Sequence, residues 1–160
     1  MESCRCATLD DLGEIVRLAQ ALRAELGAMR GGELWVAREA RAEPLNEQYR
    51  LLIEDADALV VVGSIDTAVV GFGVVEIEAL RTGDRLGRVT DLFVETEARS
   101  VGVGESITSD LVAFCMQAGC IGMDAVALPG HRATKNFFEE QGFTARSLVM
   151  HRSLRDPAPE

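Results

Sequence analysis

The sequence predicts a mixed α/β domain, and three observations predict it. Apolar residues switch between helical spacing and β-rich runs in the order β-α-α-β-β-β-α-β-α-β. The three central strands follow one another through short turns, so they are antiparallel neighbours, whereas a later strand–helix–strand unit implies a parallel pair with a right-handed crossover. Finally, 160 residues, of which 48% are hydrophobic, supply one core and argue against disorder. The expected architecture is a central, mostly antiparallel sheet with one parallel pair, flanked by helices.

Residues 4–8 (Cys4-Arg5-Cys6-Ala7-Thr8) alternate as a short strand. Thr8 or Asp10 can then cap a helix in which Leu12, Ile15, Val16, Leu18, Ala19, Leu22 and Leu26 recur at helical spacing up to Gly27. Residues 28–35, with Gly31-Gly32 and the only Trp, read as a loop. A more polar helical stretch covers 36–55, and Pro44 breaks or restarts it. Residues 58–63 and 68–77 form a hairpin turning at Asp66-Thr67, with Gly71 and Gly73 marking a bulge or close packing. Residues 80–87 make the next turn and 88–94 a third long strand. A helix over 104–118 places Ile107, Leu111, Val112, Phe114 and Cys115 on one side. Residues 125–128 are a strand ended by Pro129-Gly130, residues 132–141 a helix stopped by Gly142, and residues 144–154 a last strand. The chain thus reads as a single domain over 1–155 with a disordered tail, 156–160, and no separate recognition module.

Charge narrows the function. Lys and Arg number 16 against 26 Asp and Glu, a net charge of −10. Nucleic acid is a poor partner for such a chain, because phosphate affinity rests on Lys and Arg. An amine-bearing partner suits it better, with plain solubility as the simpler explanation. No run reaches the roughly 18 apolar residues of a membrane span, and Met1-Glu2-Ser3-Cys4-Arg5 is no secretory signal. Cys4, Cys6, Cys115 and Cys120 lack zinc spacing, and only His131 and His151 could assist them. They read as small hydrophobes in a reducing cytoplasm, with no metal.

The most informative stretch runs from Val94 to Ser106. A strand enters a loop bearing Arg99 and Gly102-x-Gly104, and a helix begins at once. Glycine permits close backbone approach, and a helix N-terminus offers unsatisfied N–H groups, so the pattern suits a phosphate or pyrophosphate. An ordinary start to a helix is the alternative. No Gly-Lys-Ser/Thr follows, and Ile107 stands where a dinucleotide-binding fingerprint places its third glycine.

Arg99-x-x-Gly102-x-Gly104 after Leu92-Phe93-Val94 resembles the acyl-CoA motif of the GNAT superfamily of N-acetyltransferases. Phe138-Glu139-Glu140-Gln141-Gly142-Phe143 resembles that family's terminal Tyr-Glu-x-x-Gly-Phe, and Arg5-x-Ala7-Thr8-x-x-Asp11 its usual opening. Residues 128–138 are similar to the version of this stretch in many uncharacterised bacterial members. The likeness covers about residues 4–154. It implies that the strand ending at Val94 splays from the strand at 123–128, with acetyl-CoA in the cleft. The backbone of Phe93 and Val94 would bond the pantetheine arm. Backbone N–H groups of Ser100, Val101, Gly102, Val103, Gly104 and Glu105, with the charge of Arg99, would hold the pyrophosphate. Asn136, Lys135 and Phe138 lie where the family contacts the cofactor. The implied activity is acetyl transfer from acetyl-CoA to a primary amine of a small molecule or peptide, by direct attack in a ternary complex. A homodimer is implied too.

Such transfer needs a base for the amine and a donor for the oxyanion. The candidate bases are Asp91 and Glu76, with Glu78 and Glu95 behind them. Asp91 sits in an apolar run, a setting that tunes a carboxyl for proton transfer. The family's frequent acid, a Tyr, is Phe138 here, and the only Tyr, Tyr49, lies in an early helix outside the motif. A thiol of pKa roughly 8–9 leaves tolerably without a donor; His131 is a candidate donor or a helix cap. Arg81, Arg85 and Arg88 suit an anionic acceptor or a solvated turn. Two alternatives stay open: a non-catalytic acyl-CoA-binding module, and a nucleotide-binding domain unrelated to CoA.

Overall fold

The computed structural model describes residues 1–155. One sheet contains five strands in sequence order: β1 (Glu2–Cys6), β2 (Ala58–Ile65), β3 (Ala68–Ala79), β4 (Arg85–Val94) and β5 (Gly122–Ala125). β1 to β4 are antiparallel neighbours, and β4 and β5 are parallel. This is the mixed sheet that the turn lengths predict.

The helices are α1 (Leu12–Gly27), α2 (Gly32–Leu34), α3 (Leu45–Glu54), α4 (Val103–Gln117) and α5 (Arg132–Glu140). They cover both faces, which explains why the strands read as continuous apolar runs. Val60, Val62, Phe72 and Val74 join Ile15, Leu18, Tyr49 and Leu52 in one core. Val61 and Val75, which point to the other face, join Ile107, Leu111 and Cys115 of α4 in the other core. A Cβ at Gly63 would stand 2.5 Å from Val103, and one at Gly73 would stand 2.5 Å from Ile107. The glycines of the hairpin therefore serve close packing, since they let α4 lie on the strands. A bulge does occur, between Gly63 and Ser64.

Four differences from the sequence expectations matter. Residues 32–35, expected to be loop, are helical: α2 runs on into a π-helical turn, Trp35–Glu39. β4 begins at Arg85, three residues before the expected start. β5 lies at Gly122–Ala125, three residues before the expected 125–128, where its residues find partners on β4 from Leu86 to Val89. The last strand over 144–154 does not form. Leu148, Val149, Met150 and Leu154 are 83–89% exposed, and the segment lacks a strand neighbour. Residues 156–160, expected as a tail, lie outside the described residues.

Candidate active site

β4 and β5 pair only from Leu86↔Gly122 to Val89↔Ala125. β4 then continues to Val94 with β3 on one flank alone. The two strands part, and a cleft of about 960 Å³ opens between them. Phe93 and Val94 line it.

The loop after β4 closes one end. Ser100 (φ 73°) and Gly102 (φ 92°) are left-handed, which turns the chain sharply into α4. The first helical bond runs from Ser106 N–H to Gly102 C=O, 3.0 Å. The N–H groups just before Ser106 thus have no partner within the helix, and they sit at its positive end. Arg99, Ser100, Gly102, Gly104 and Glu105 all line the cleft. Val101 and Val103 do not: Val101 is exposed, and Val103, the first residue of α4, is buried against the sheet. Arg99 is no isolated positive patch. Its Nε donates to the Val94 carbonyl at 2.8 Å and its Nη2 to Glu25 at 2.8 Å, and its guanidinium lies 5.5 Å from the Phe93 ring centre.

The opposite end holds two of the candidate carboxylates. Of the four candidate carboxylates, Asp91 and Glu76 line the cleft. Glu95 is turned aside to Arg17, and Glu78 pairs with Arg88 at 3.7 Å. The pairing of β3 with β4 slips between Val74 and Val75, opposite Asp91 and Val89, so Thr90 is an extra residue. Simple alternation would put Thr90 and Asp91 on opposite faces. The bulge instead lets one Arg41 nitrogen, Nη2, reach both Thr90 Oγ1 (2.8 Å) and Asp91 Oδ1 (2.6 Å). Arg41 Nη1 donates to Glu76 Oε2 at 3.2 Å. Asp91 accepts its second bond from the Tyr49 hydroxyl at 2.5 Å. Asp91 is 6% exposed and Tyr49 fully buried. Burial, and then the Asp91 charge, push the Tyr49 phenol well above its ordinary value, so it stays a donor. Arg41 is held protonated by Asp91 and Glu76 against its own burial. Glu76 is the more open carboxylate of the two, with a third of its side chain exposed.

Sequence reasoning missed Arg41 and gave Tyr49 no role. Their only signal was a lone Tyr and an Arg in a polar stretch. Their placement against Asp91, 50 and 42 residues away in sequence, is a tertiary feature.

α5 forms the remaining wall. Asn136, Phe138 and His131 line the cleft, while Lys135 pairs with Glu139 at 2.6 Å on the outer side. Phe138 is 8% exposed between Phe137 and Phe143, at centroid distances of 5.7 and 5.2 Å. His131 caps α5 and bonds Thr134 Oγ1 through Nδ1 at 2.7 Å. Arg85 is drawn off to Asp57 and the Ala118 carbonyl, whereas Arg88 lines the cleft and Arg81 is exposed. Among the described residues, no cluster of His, Cys, Asp and Glu is placed to hold a metal, and no helix is long and apolar enough to cross a membrane.

A splayed parallel pair, a glycine loop into a helix and carboxylates on the central strands define an acyltransferase-type domain. Residues 18–143 match the acetyltransferase (GNAT) family, and the chain belongs to it. No curated protein sequence matches. Among solved structures, glucosamine-6-phosphate N-acetyltransferase from Arabidopsis thaliana is 19% identical with a TM-score of 0.71, over 97% of this chain and 99% of that one. A tetramutant of the BH1408 protein from Bacillus halodurans is 17% identical with a TM-score of 0.80, over 95% and 99%. An aminoglycoside acetyltransferase from an uncultured soil metagenomic sample, in complex with sisomicin, is 16% identical with a TM-score of 0.71, over 98% and 97%. These likenesses concern the fold.

Proposed function

We propose that the protein is an acetyl-CoA-dependent N-acetyltransferase acting on a primary amine of a small molecule or peptide. One observation carries this: the cleft between β4 and β5 has unpartnered helix amides at one end and an open carboxylate, Glu76, at the other. In this reading the amides from Ser100 to Glu105 receive the pyrophosphate of CoA. The free flank of Phe93 and Val94 takes the pantetheine arm as an added strand would. Asn136 and Phe138 close the far wall.

Glu76 is the group we assign as base. Asp91 is occupied by Arg41 and Tyr49, so its role becomes that of an anchor: it holds Arg41, and Arg41 holds Glu76. The amine nitrogen gives a proton to Glu76 and forms a C–N bond with the thioester carbonyl carbon. The C–S bond breaks, and CoA leaves as thiolate, which a pKa of roughly 8–9 permits. A cytoplasmic setting and a homodimer belong to the same reading.

The test is acetyl-CoA-dependent release of CoA thiol across a panel of amines. Glu76→Gln is expected to lower kcat/KM by about 100-fold or more, the range of general-base catalysis, with CoA binding by calorimetry unchanged. The second reading, a non-catalytic acyl-CoA-binding module, draws on Phe138 in place of the family's Tyr. It predicts CoA binding without release over any amine. Binding of ATP or NAD without CoA would overturn both.

A further inference from the structure

Three neighbouring strands set a row of charges across the floor of the cleft. Glu76 of β3 is the register partner of Arg88 of β4, and Arg88 is the register partner of Asp124 of β5. Register partners project to one face of a sheet, with Cβ atoms about 5 Å apart. All three residues line the cleft. Arg88 therefore stands beside Glu76, the carboxylate assigned as base.

The other arginines of the cleft are engaged. Arg41 is bound to Asp91 and Glu76, Arg99 to Glu25, and Arg38 to Glu39. Asp124 is matched as well: it accepts from Arg146 Nε at 2.7 Å and from Nη2, and this pair holds its carboxyl below the ordinary value. Arg88 differs. Its side chain is half exposed, and its ion-pair contact, Nε to Glu78 Oε1 at 3.7 Å, is too long for a hydrogen bond. Among the described residues its terminal nitrogens meet no acceptor, so the fork that grips an oxyanion through two parallel bonds is open.

We propose that the acceptor is a free amino acid, with its amine at Glu76 and its carboxylate in the fork of Arg88. This rests on the N-acetyltransferase reading and narrows the acceptor. The spacing fits, because the amine and carboxylate of an α-amino acid hang from one carbon, and two long side chains rooted on adjacent strands close on both without moving the sheet. Charge selects a carboxylate over a phosphate. Glu78 stands beside the same guanidinium, and a phosphate ester, at about −1.5 to −2 charges, meets more repulsion there than a carboxylate does. A peptide N-terminus or a polyamine has no carboxylate next to its amine and leaves Arg88 unused. The carboxylate takes no part in acyl transfer; its ion pair with Arg88 positions the amine.

The test is acetyl-CoA-dependent release of CoA thiol by the full chain with free L-amino acids, each set beside its carboxamide, which keeps the amine and loses the anion. The acids are expected to exceed their carboxamides by about 10- to 100-fold in kcat/KM, the range of a hydrogen bond to a charged group. Arg88→Gln should erase that preference through KM, and Arg88→Lys should retain part of it, since it keeps the charge and loses the fork. Glu78 lies outside the cleft lining, and Glu78→Gln removes the competing carboxylate, so it should raise the preference by at most about fivefold. Calorimetry of CoA binding reports whether each variant still folds. Should Arg88→Gln lose its fold, the wild-type comparison and Glu78→Gln still decide. Equal rates for acids and carboxamides, a preference untouched by Arg88→Gln, or release confined to amines without a neighbouring carboxylate would overturn the proposal and leave the N-acetyltransferase reading standing. Release with no amine at all would overturn both.

Discussion

Arg41 holds the floor of the cleft together through one planar group. It meets Asp91, Thr90 and Glu76 and lies 5.6 Å from the Tyr49 ring centre, with a sixth of its side chain exposed. Removing one partner from a buried charge pair costs about 3–5 kcal/mol. Arg41→Met is therefore expected to destabilise the domain by that order in urea unfolding, because Asp91 would be stranded. Tyr49→Phe removes only a hydroxyl, and about 1–3 kcal/mol follows from leaving an Asp91 oxygen without its donor. Both losses should show at neutral pH and without substrate. At the other end, Glu25 competes with any phosphate for Arg99. Glu25→Gln should tighten CoA binding by at most about fivefold, the upper end of what an exposed pair of about 0.2–1 kcal/mol allows; Arg99→Glu should weaken it. Titration calorimetry reads both.

Asp11 offers a test in pH. Arg5, with help from the Thr8 N–H, holds its carboxyl below the ordinary value despite burial. A depressed folded-state pKa contributes stability that is present above the unfolded value of about 3.9 and is lost as pH falls through the lower folded value. In Asp11→Asn, stability below neutrality should fall less steeply with acid than in the wild type. Equal slopes in acid titrations of unfolding would remove Asp11 from the account.

At the scale of elements, the contact of α4 with the sheet decides most. Small residues at Gly63 and Gly73 let Val103 and Ile107 seat on the strands. Gly73→Ala must displace Ile107 and Leu111, so a loss of about 1–3 kcal/mol is expected from overpacking. Because α4 also carries the Gly102 turn and the cleft amides, the same variant should weaken CoA binding as well as stability. Unfolding and calorimetry on one preparation separate the two effects. The bulge at Thr90 is the second element-scale device: it turns Thr90 and Asp91 to the same guanidinium.

For the whole molecule, the charge of −10 sets the long-range field. An anionic cofactor must approach an acidic surface, and added salt screens that repulsion within roughly 10 Å at 0.1 M. The association rate of CoA should therefore rise with ionic strength, the reverse of a basic phosphate-binding protein. Stopped-flow measurements at several salt concentrations give the sign directly.

The order of elements, the glycine loop and the candidates Glu76 and Asp91 were legible in the sequence, because periodicity, turn residues and motif spacing are local properties. Three things were not. The bulge at Thr90 is a register between two strands, so Arg41 and Tyr49 could not be placed against Asp91 from either stretch alone. The pairing of Arg99 with Glu25 joins residues 74 apart and uses a charge that the loop pattern leaves free. Residues 144–154 have the composition of a strand, but a strand exists only when a neighbour accepts its backbone bonds. The sequence by itself determined which segments could be helix or strand and which side chains could do chemistry. Tertiary structure alone decided which edges were paired, which carboxylate was open and which arginine was engaged, since each depends on what distant segments bring alongside.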